Sequence, residues 1–352
     1  MNPQSFPSYS HSPSNPPGLV NISRNKSMKA ARSRAHDYKR KGFYLITATI
    51  YPGSPILSRV NIPAGMDLAD VMRSREMLIP DNTPAGEGVR IQIRDLPKFH
   101  PLLKVVRYVI MPDHIHILIQ VLDNLSHELG TELNGFFTAC SRVASSAVGL
   151  SEVQTLFKPY DDVIIREYPQ LDRAVKYIED NPRRYLVKKH HPDLFKTYLH
   201  LQIECHEYAA YGNIFLLKEP WLMQVRIHRR WSEAEFAKYR SDRLKDIESG
   251  AIPVSPAIHK AEKEIMNEAI EMGRSVILLR DQGFEDRFKP QGKYFDLCAE
   301  GRLLLLAPWP ENLERRSTAG YTQFHQMNDF AAAIASIPAT ARLSIKIPSL
   351  QR

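Results

Sequence analysis

The stretch RYVIMPDHIHILIQV (Arg107–Val121) carries two histidines, two residues apart, inside an apolar run. Its β-branched content predicts strand on both sides of Met111-Pro112-Asp113, as KVVRYVI (104–110) and HIHILIQV (114–121). Side chains alternate faces along a strand. His114, His116, Leu118 and Gln120 therefore share one side, and Ile115, Ile117, Ile119 and Val121 the other. The isoleucine side has the makings of a core, so the histidine side needs a helix or a cleft over it. Positions two apart on a strand are about 6.6–7 Å apart at Cα. Two imidazoles at that spacing can converge on one ion about 2 Å from each nitrogen. Imidazole suits transition ions and, with water and phosphate oxygens, Mn²⁺ or Mg²⁺. A structural or merely exposed pair has the same spacing, so the reading depends on what chemistry lies nearby.

The next informative segment is YPQLDRAVKYIEDNP (168–182). Leu171, Ala174, Val175 and Ile178 follow the i, i+3, i+4, i+7 spacing of an amphipathic helix. Pro169 suits its first turn, and Asn181-Pro182 predicts its end. Tyr177 and Asn181 lie one turn apart on the flank of the apolar stripe and can serve one site. A tyrosine is a competent nucleophile when a cation stabilises its phenolate or polarises its target, and Asn181 can add an oxygen ligand. A half-buried tyrosine and a C-terminal asparagine cap fit the same helix.

Upstream, GFYLITATIY (42–51) reads as strand, and residues 64–98 read as irregular apart from a short helix over Leu68–Met77. HELGTELNGFFTACSRVASSA (127–147) reads as helix. The 352 residues suit about two domains, with 43% apolar and 24% charged residues placing them among globular proteins. No apolar run reaches the roughly 18 residues of a membrane span, and the N-terminal MNPQSFPSYSHSPSNPPG lacks the apolar core of a signal peptide. Three scattered cysteines (Cys140, Cys205 and Cys298) argue against a disulfide framework and fit a reducing cytoplasm. Residues 1–41 carry Arg24, Lys26, Lys29, Arg32, Arg34, Lys39, Arg40 and Lys41 against Asp37, which is +7 of the chain's +8. Residues 1–40 thus read as a disordered, Pro/Ser-rich basic tail. Such a tail suits phosphate backbones, or simply keeps the protein soluble.

Two motifs in order carry a resemblance. RYVIMPDHIHILIQV resembles the His-hydrophobe-His strand of HUH-type single-tyrosine transposases, and LFKPYDDVIIREYPQLDRAVKYIEDNPRRYLV (156–187) resembles their tyrosine helix. The YIxxNP ending is similar to that of REP-associated tyrosine transposases. The likeness spans residues 40–190. It implies an α+β domain over 41–205, with an antiparallel sheet flanked by helices in the ferredoxin-like or RRM-like HUH arrangement. It implies a divalent ion, Mg²⁺ or Mn²⁺, on His114, His116 and Asn181. It also implies attack by Tyr177 on a phosphate of single-stranded or hairpin DNA, giving a 5′-phosphotyrosine and a free 3′-OH, followed by rejoining. The segment 60–90 and Tyr185 depart from the family pattern. Arg183, Arg184, Lys188 and Lys189, with Arg40 and Lys41, are candidate DNA contacts, and Tyr160, Tyr168 and Tyr185 candidate stacking surfaces. The expected partners are DNA and a second copy of the chain, with no membrane.

After residue 205 the texture changes to strand–helix alternation, which predicts an α/β domain over 210–340 with a mainly parallel sheet. No GxGxxG or P-loop occurs there. Ser255, at a strand-to-helix turn, is a candidate anion position, as are Arg287, Lys289 and Lys293. The region is similar in pattern to the Rossmann-like core of the DNA-processing protein A family, which implies single-stranded DNA binding. A scaffold or dimerisation role fits it equally. The rival to the enzyme reading is a catalytically idle, domesticated transposase that binds DNA as a repressor or structural factor.

Overall fold

The computed structural model describes residues 36–50, 55–74, 76–149, 156–157, 159–228, 230–284, 288–309 and 319–343. The tail with Arg24, Lys26, Lys29, Arg32 and Arg34, and the candidate Arg287, lie outside the described residues.

The first half runs β1 (Gly42–Thr49), β2 (Ser58–Arg59), α1 (Leu68–Arg73), β3 (Asp81–Asn82), α2 (Pro84–Phe99), β4 (Leu103–Ile110), β5 (His114–Val121), α3 (Leu129–Ala147), β6 (Asp161–Ile165) and α4 (Tyr168–His190). Four strands form an antiparallel sheet in the order β4-β5-β1-β6, and β2 pairs with β3 in a small ribbon. The alternation read from the sequence holds. Ile115, Ile117, Ile119 and Val121 enter a core with α2 and α3, while Leu118 enters a second core with Ala174, Ile178 and Leu186 of α4. The histidine side of β5 is thus the side that α4 covers.

Two expectations change here. Helix α2 occupies part of the segment expected to be irregular. Thr83 caps it by accepting from the Gly86 amide, and Pro84 sits in its first turn. Its glycines are there for contact. A Cβ on Gly86 would lie 1.8 Å from the Leu57 carbonyl oxygen, and one on Gly88 3.1 Å from Val143 of α3. Helix α4 also runs through Pro182 to His190 instead of ending there. Ala174, Ile178, Pro182 and Leu186 continue one buried stripe, followed by Val187. An internal proline costs about 3 kcal/mol. Burying Leu186 and Val187 contributes about 1.5–3 kcal/mol each and offsets that cost.

The second half runs β7 (Thr197–Ile203), β8 (His206–Gly212), β9 (Leu222–Gln224), α5 (Glu233–Glu248), β10 (Ile252–Ser255), α6 (Lys260–Glu271), β11 (Val276–Leu279), α7 (Lys293–Ala299), β12 (Leu303–Ala307), α8 (Ala319–Ser336) and α9 (Ala339–Leu343). Its six-stranded sheet has the order β7-β8-β12-β11-β10-β9, parallel from β12 to β9 and antiparallel at β8 and β7. One face packs against α6 and α7, and the other against α8. Because β7 and β8 pair as a hairpin within this sheet, the chain changes sheets between His190 and Thr197. A boundary at 205–210 would cut that hairpin at its turn. All three cysteines are free, with Cys140 and Cys298 buried. No described helix is long and apolar enough to cross a membrane.

The halves meet along the second part of α4. Val187 forms a small core with Phe295 and Ala299 of α7, joined by Met72 and Phe195. Arg183, only 4% exposed, donates to Asp180 at 2.5 Å and to Asp296 at 2.6 Å across this boundary.

Candidate active site

Register brings the site together. On β1, Thr47 lies opposite His116 and Thr49 opposite His114. The His116 ring is buried, and its Nδ1 lies 2.8 Å from Thr47 Oγ1. His114 Nδ1 lies 2.7 Å from Asp113 Oδ1. The two rings meet edge-on with centroids 4.8 Å apart, and His116 meets the Tyr177 ring the same way at 5.1 Å. Asn181, one turn along α4, donates from its amide to the Tyr177 carbonyl at 2.7 Å and also hydrogen-bonds the phenol. His114, His116, Tyr177 and Asn181 therefore form one cluster, as their spacing suggested.

Thr47 and Asp113 belong to the cluster too, though sequence reading did not single them out. Asp113 was legible as the neighbour of His114, whereas Thr47 becomes visible only once β1 is paired with β5.

The electrostatics follow from burial. Desolvation holds the His116 imidazole well below the usual histidine range, helped by the charges of His114 and Lys289, so it is neutral near pH 7. Its Nε2 is buried and has no hydrogen-bond partner. A buried polar atom without a partner is costly and calls for an explanation. Each imidazole is anchored through Nδ1, to a hydroxyl or a carboxylate, so any ligand it took would be bound through Nε2. That is the usual outer-shell arrangement of a metal-bound histidine. The donor set thus fits a divalent ion held by two imidazoles, with oxygen ligands completing it. Among the described residues, no three His, Cys, Asp or Glu side chains gather into a closed metal site. The Tyr177 phenol, with 38% of the residue exposed, is pushed up by desolvation, while the Asn181 hydrogen bond and the Arg184 charge pull the other way.

The cationic candidates separate. Arg184 lies beside Tyr177 and pairs with Asp180 at 2.7 Å. Lys188 is half-buried, and Lys189 is exposed in the last turn of α4. Arg183 is committed to its internal ion pairs and is not presented to solvent. Arg40 and Lys41 precede β1, whose far end carries Thr47. At about 3.3 Å per residue they lie roughly 20 Å from the histidines, and the fold does not bring them to the site. Of the tyrosines, Tyr160 stacks on Phe137 at 5.4 Å, Tyr185 packs beside the α4 core, and Tyr168 is 68% exposed.

The Ser255 turn is already filled. Ser255 is fully buried and accepts from the Ala257 amide. The Ile258 and His259 amides that would greet an anion are taken by the Glu262 carboxylate at 2.9 and 3.0 Å. The sequence therefore supplies its own anion there.

No protein-family model matches the chain, and no curated protein is similar to it. Two solved structures overlap parts of it. One is a REP-associated tyrosine transposase bound to a REP hairpin, 16% identical over 45% of this chain and 74% of that one, with a TM-score of 0.27. The other, from Deinococcus radiodurans R1 and assigned as a transposase, is 20% identical over 40% of this chain and 91% of that one, with a TM-score of 0.24. Overlaps this loose carry no weight, and the reading of the site rests on its own geometry.

Proposed function

We propose that this chain is a metal-dependent transposase that nicks and rejoins single-stranded or hairpin DNA through Tyr177. The observation that carries the reading is the ring cluster of His114, His116 and Tyr177, in which the buried His116 Nε2 has no protein partner. The path β1-α2-β4-β5-α3-β6 with strand order β4-β5-β1-β6 suits a ferredoxin-like HUH domain.

In this mechanism His114 and His116 would hold a divalent ion, with Asn181 and substrate oxygens as further ligands. When bound, that ion neutralises phosphate charge and favours in-line attack. Thr47 and Asp113 fix the imidazoles and keep each Nε2 directed at the ligand position. The Tyr177 oxygen gives its proton to solvent and forms a bond to phosphorus. The bond from phosphorus to the 3′ oxygen breaks, and that oxygen takes a proton to become a free 3′-OH. Arg184 favours the phenolate by its charge, and Asn181 positions it. The phosphotyrosine conserves the ester bond energy, so the reverse attack by a 3′-OH rejoins a strand without ATP.

The test is incubation with labelled hairpin or single-stranded DNA and Mn²⁺ or Mg²⁺. A covalent protein–DNA band that requires Tyr177 is expected. Strand binding without any adduct would support the idle DNA-binding alternative.

A further inference from the structure

We propose that the second half of the chain braces the tyrosine helix, with Asp296 as a positioning residue that acts through Arg183 to set the place of Tyr177 against His116. The consequence for the chemistry rests on the reading of the site as one that acts on single-stranded DNA.

The need for a brace lies in α4 itself. Pro182 directly follows Asn181 and has no N–H, so it cannot make the backbone bond to the Ile178 carbonyl that would continue the helix. The helix is thus weakened next to the turn that carries Tyr177 and Asn181. Side chains bridge the gap. Asp180, on the Tyr177 side of Pro182, accepts from Arg183 Nε at 2.5 Å and Nη2 at 3.1 Å, and from Arg184 Nε at 2.7 Å. Both arginines lie beyond the proline, so the carboxylate ties one part of the helix to the other.

That tie is held from outside the helix. Arg183 Nη2 also donates to Asp296 of α7 at 2.6 Å, and Nη1 to the Met72 carbonyl of α1 at 3.4 Å. The guanidinium therefore has partners on three helices, and Arg183 is buried. Arg184 lies over the face of Phe295 at 4.3 Å, and Phe295 stacks on Phe195 at 4.8 Å. Val187 adds apolar contact with Phe295 and Ala299. The apolar stripe of Ala174 and Ile178 keeps α4 on the first sheet, but apolar burial is not directional. A guanidinium fork between carboxylates is directional. Tyr177 meets the His116 ring at 5.1 Å from the other side of Pro182, so a change in the line of α4 moves the phenol relative to the imidazole.

The test compares full-length wild type with Asp296→Asn, Phe295→Leu and Glu268→Gln. Glu268 pairs with Arg240 between α5 and α6, so its variant loses an ion pair of the same kind away from α4. Two readouts are taken: amide hydrogen exchange, and the rate of adduct formation on a short labelled single-stranded oligonucleotide with Mn²⁺. Asp296→Asn and Phe295→Leu are each expected to speed exchange over residues 174–190 by about tenfold, with α2 unchanged. At saturating DNA both should lower the adduct rate by about tenfold, less than the roughly hundredfold that a 1 Å displacement can cost, with the half-saturating DNA concentration within about twofold of wild type. Glu268→Gln should match wild type in both readouts. Unchanged exchange in α4 would overturn the brace. Faster exchange with an unchanged adduct rate would reduce the contact to stability and overturn the positioning role. Equal losses in Glu268→Gln, or faster exchange in α2 as well, would trace the effect to the whole fold and overturn the assignment. Absence of adduct in the wild type would overturn the transposase reading, while faster exchange confined to α4 would still uphold the brace.

Discussion

Tyr177 and His116 depend on each other. Burial keeps the phenol protonated and the imidazole neutral. A protonated phenol is a poor nucleophile, and a neutral imidazole is a good ligand, so under the proposed function Tyr177 would react only with a cation in place. Tyr177→Phe keeps the packing and loses one oxygen, so it should abolish the adduct and leave the DNA affinity within about twofold of wild type. His114→Ala and His116→Ala should each remove Mn²⁺- or Mg²⁺-dependent cleavage, and activity of the wild type in EDTA would refute the assignment. Lys188 adds a pH signature. Burial, then the charges of Lys289 and Arg184, push its ammonium from the usual 10.5 down to about 8. Between about pH 8 and 10.5 the unfolded chain binds the proton that the folded one lacks, so stability should rise with pH across that window. Below pH 8 both states are charged and the dependence ends. Lys188→Gln should remove the rise, read as the change in denaturant midpoint between pH 7.5 and 9.5 relative to wild type.

At the scale of elements, α2 is the helix whose glycines set its place. Gly86→Ala would drive a methyl into the Leu57 carbonyl, so the helix must shift, at a cost of about 1–3 kcal/mol. Gly135 in α3 is exposed, and nothing lies within 4 Å of where a Cβ would sit. Gly135→Ala should therefore gain about 0.5–1 kcal/mol from helix propensity. Opposite shifts in urea midpoint for these two variants would verify that contact, and not glycine as such, governs α2. The same logic explains α4, where buried side chains on both sides of Pro182 carry the helix past a residue that usually ends one.

At the scale of the molecule, the two sheets are separate but the helix between them is shared. A chain ending at residue 205 would keep β7 without its partner β8 and expose an unpaired strand, so it should aggregate. A chain ending near residue 191 would finish with α4 complete and lose the contacts of Val187 with Phe195, Phe295 and Ala299 and of Arg183 with Asp296. It should be the more soluble of the two, with a lower thermal midpoint than the full chain because Arg183 loses one of its carboxylates. Size-exclusion profiles and thermal unfolding of the two forms decide this.

What the sequence determined by itself was local and periodic. Alternation placed the two histidines on one face of β5, the i, i+4 rule put Tyr177 beside Asn181, and strand–helix alternation announced the second sheet. Those patterns depend on neighbours along the chain, so they are legible there. Only the tertiary structure decided which partners those faces meet. Thr47 reaches His116 by strand pairing across 69 residues, and Arg183 reaches Asp296 across 113. Glu262 fills the amide turn that the sequence left open for an anion. The helix end expected at Pro182 and the irregular segment expected over 64–98 were misread because local preferences are worth at most about 3 kcal/mol. Burial of a few side chains against the sheet exceeds that, and burial is fixed by contacts distant in sequence.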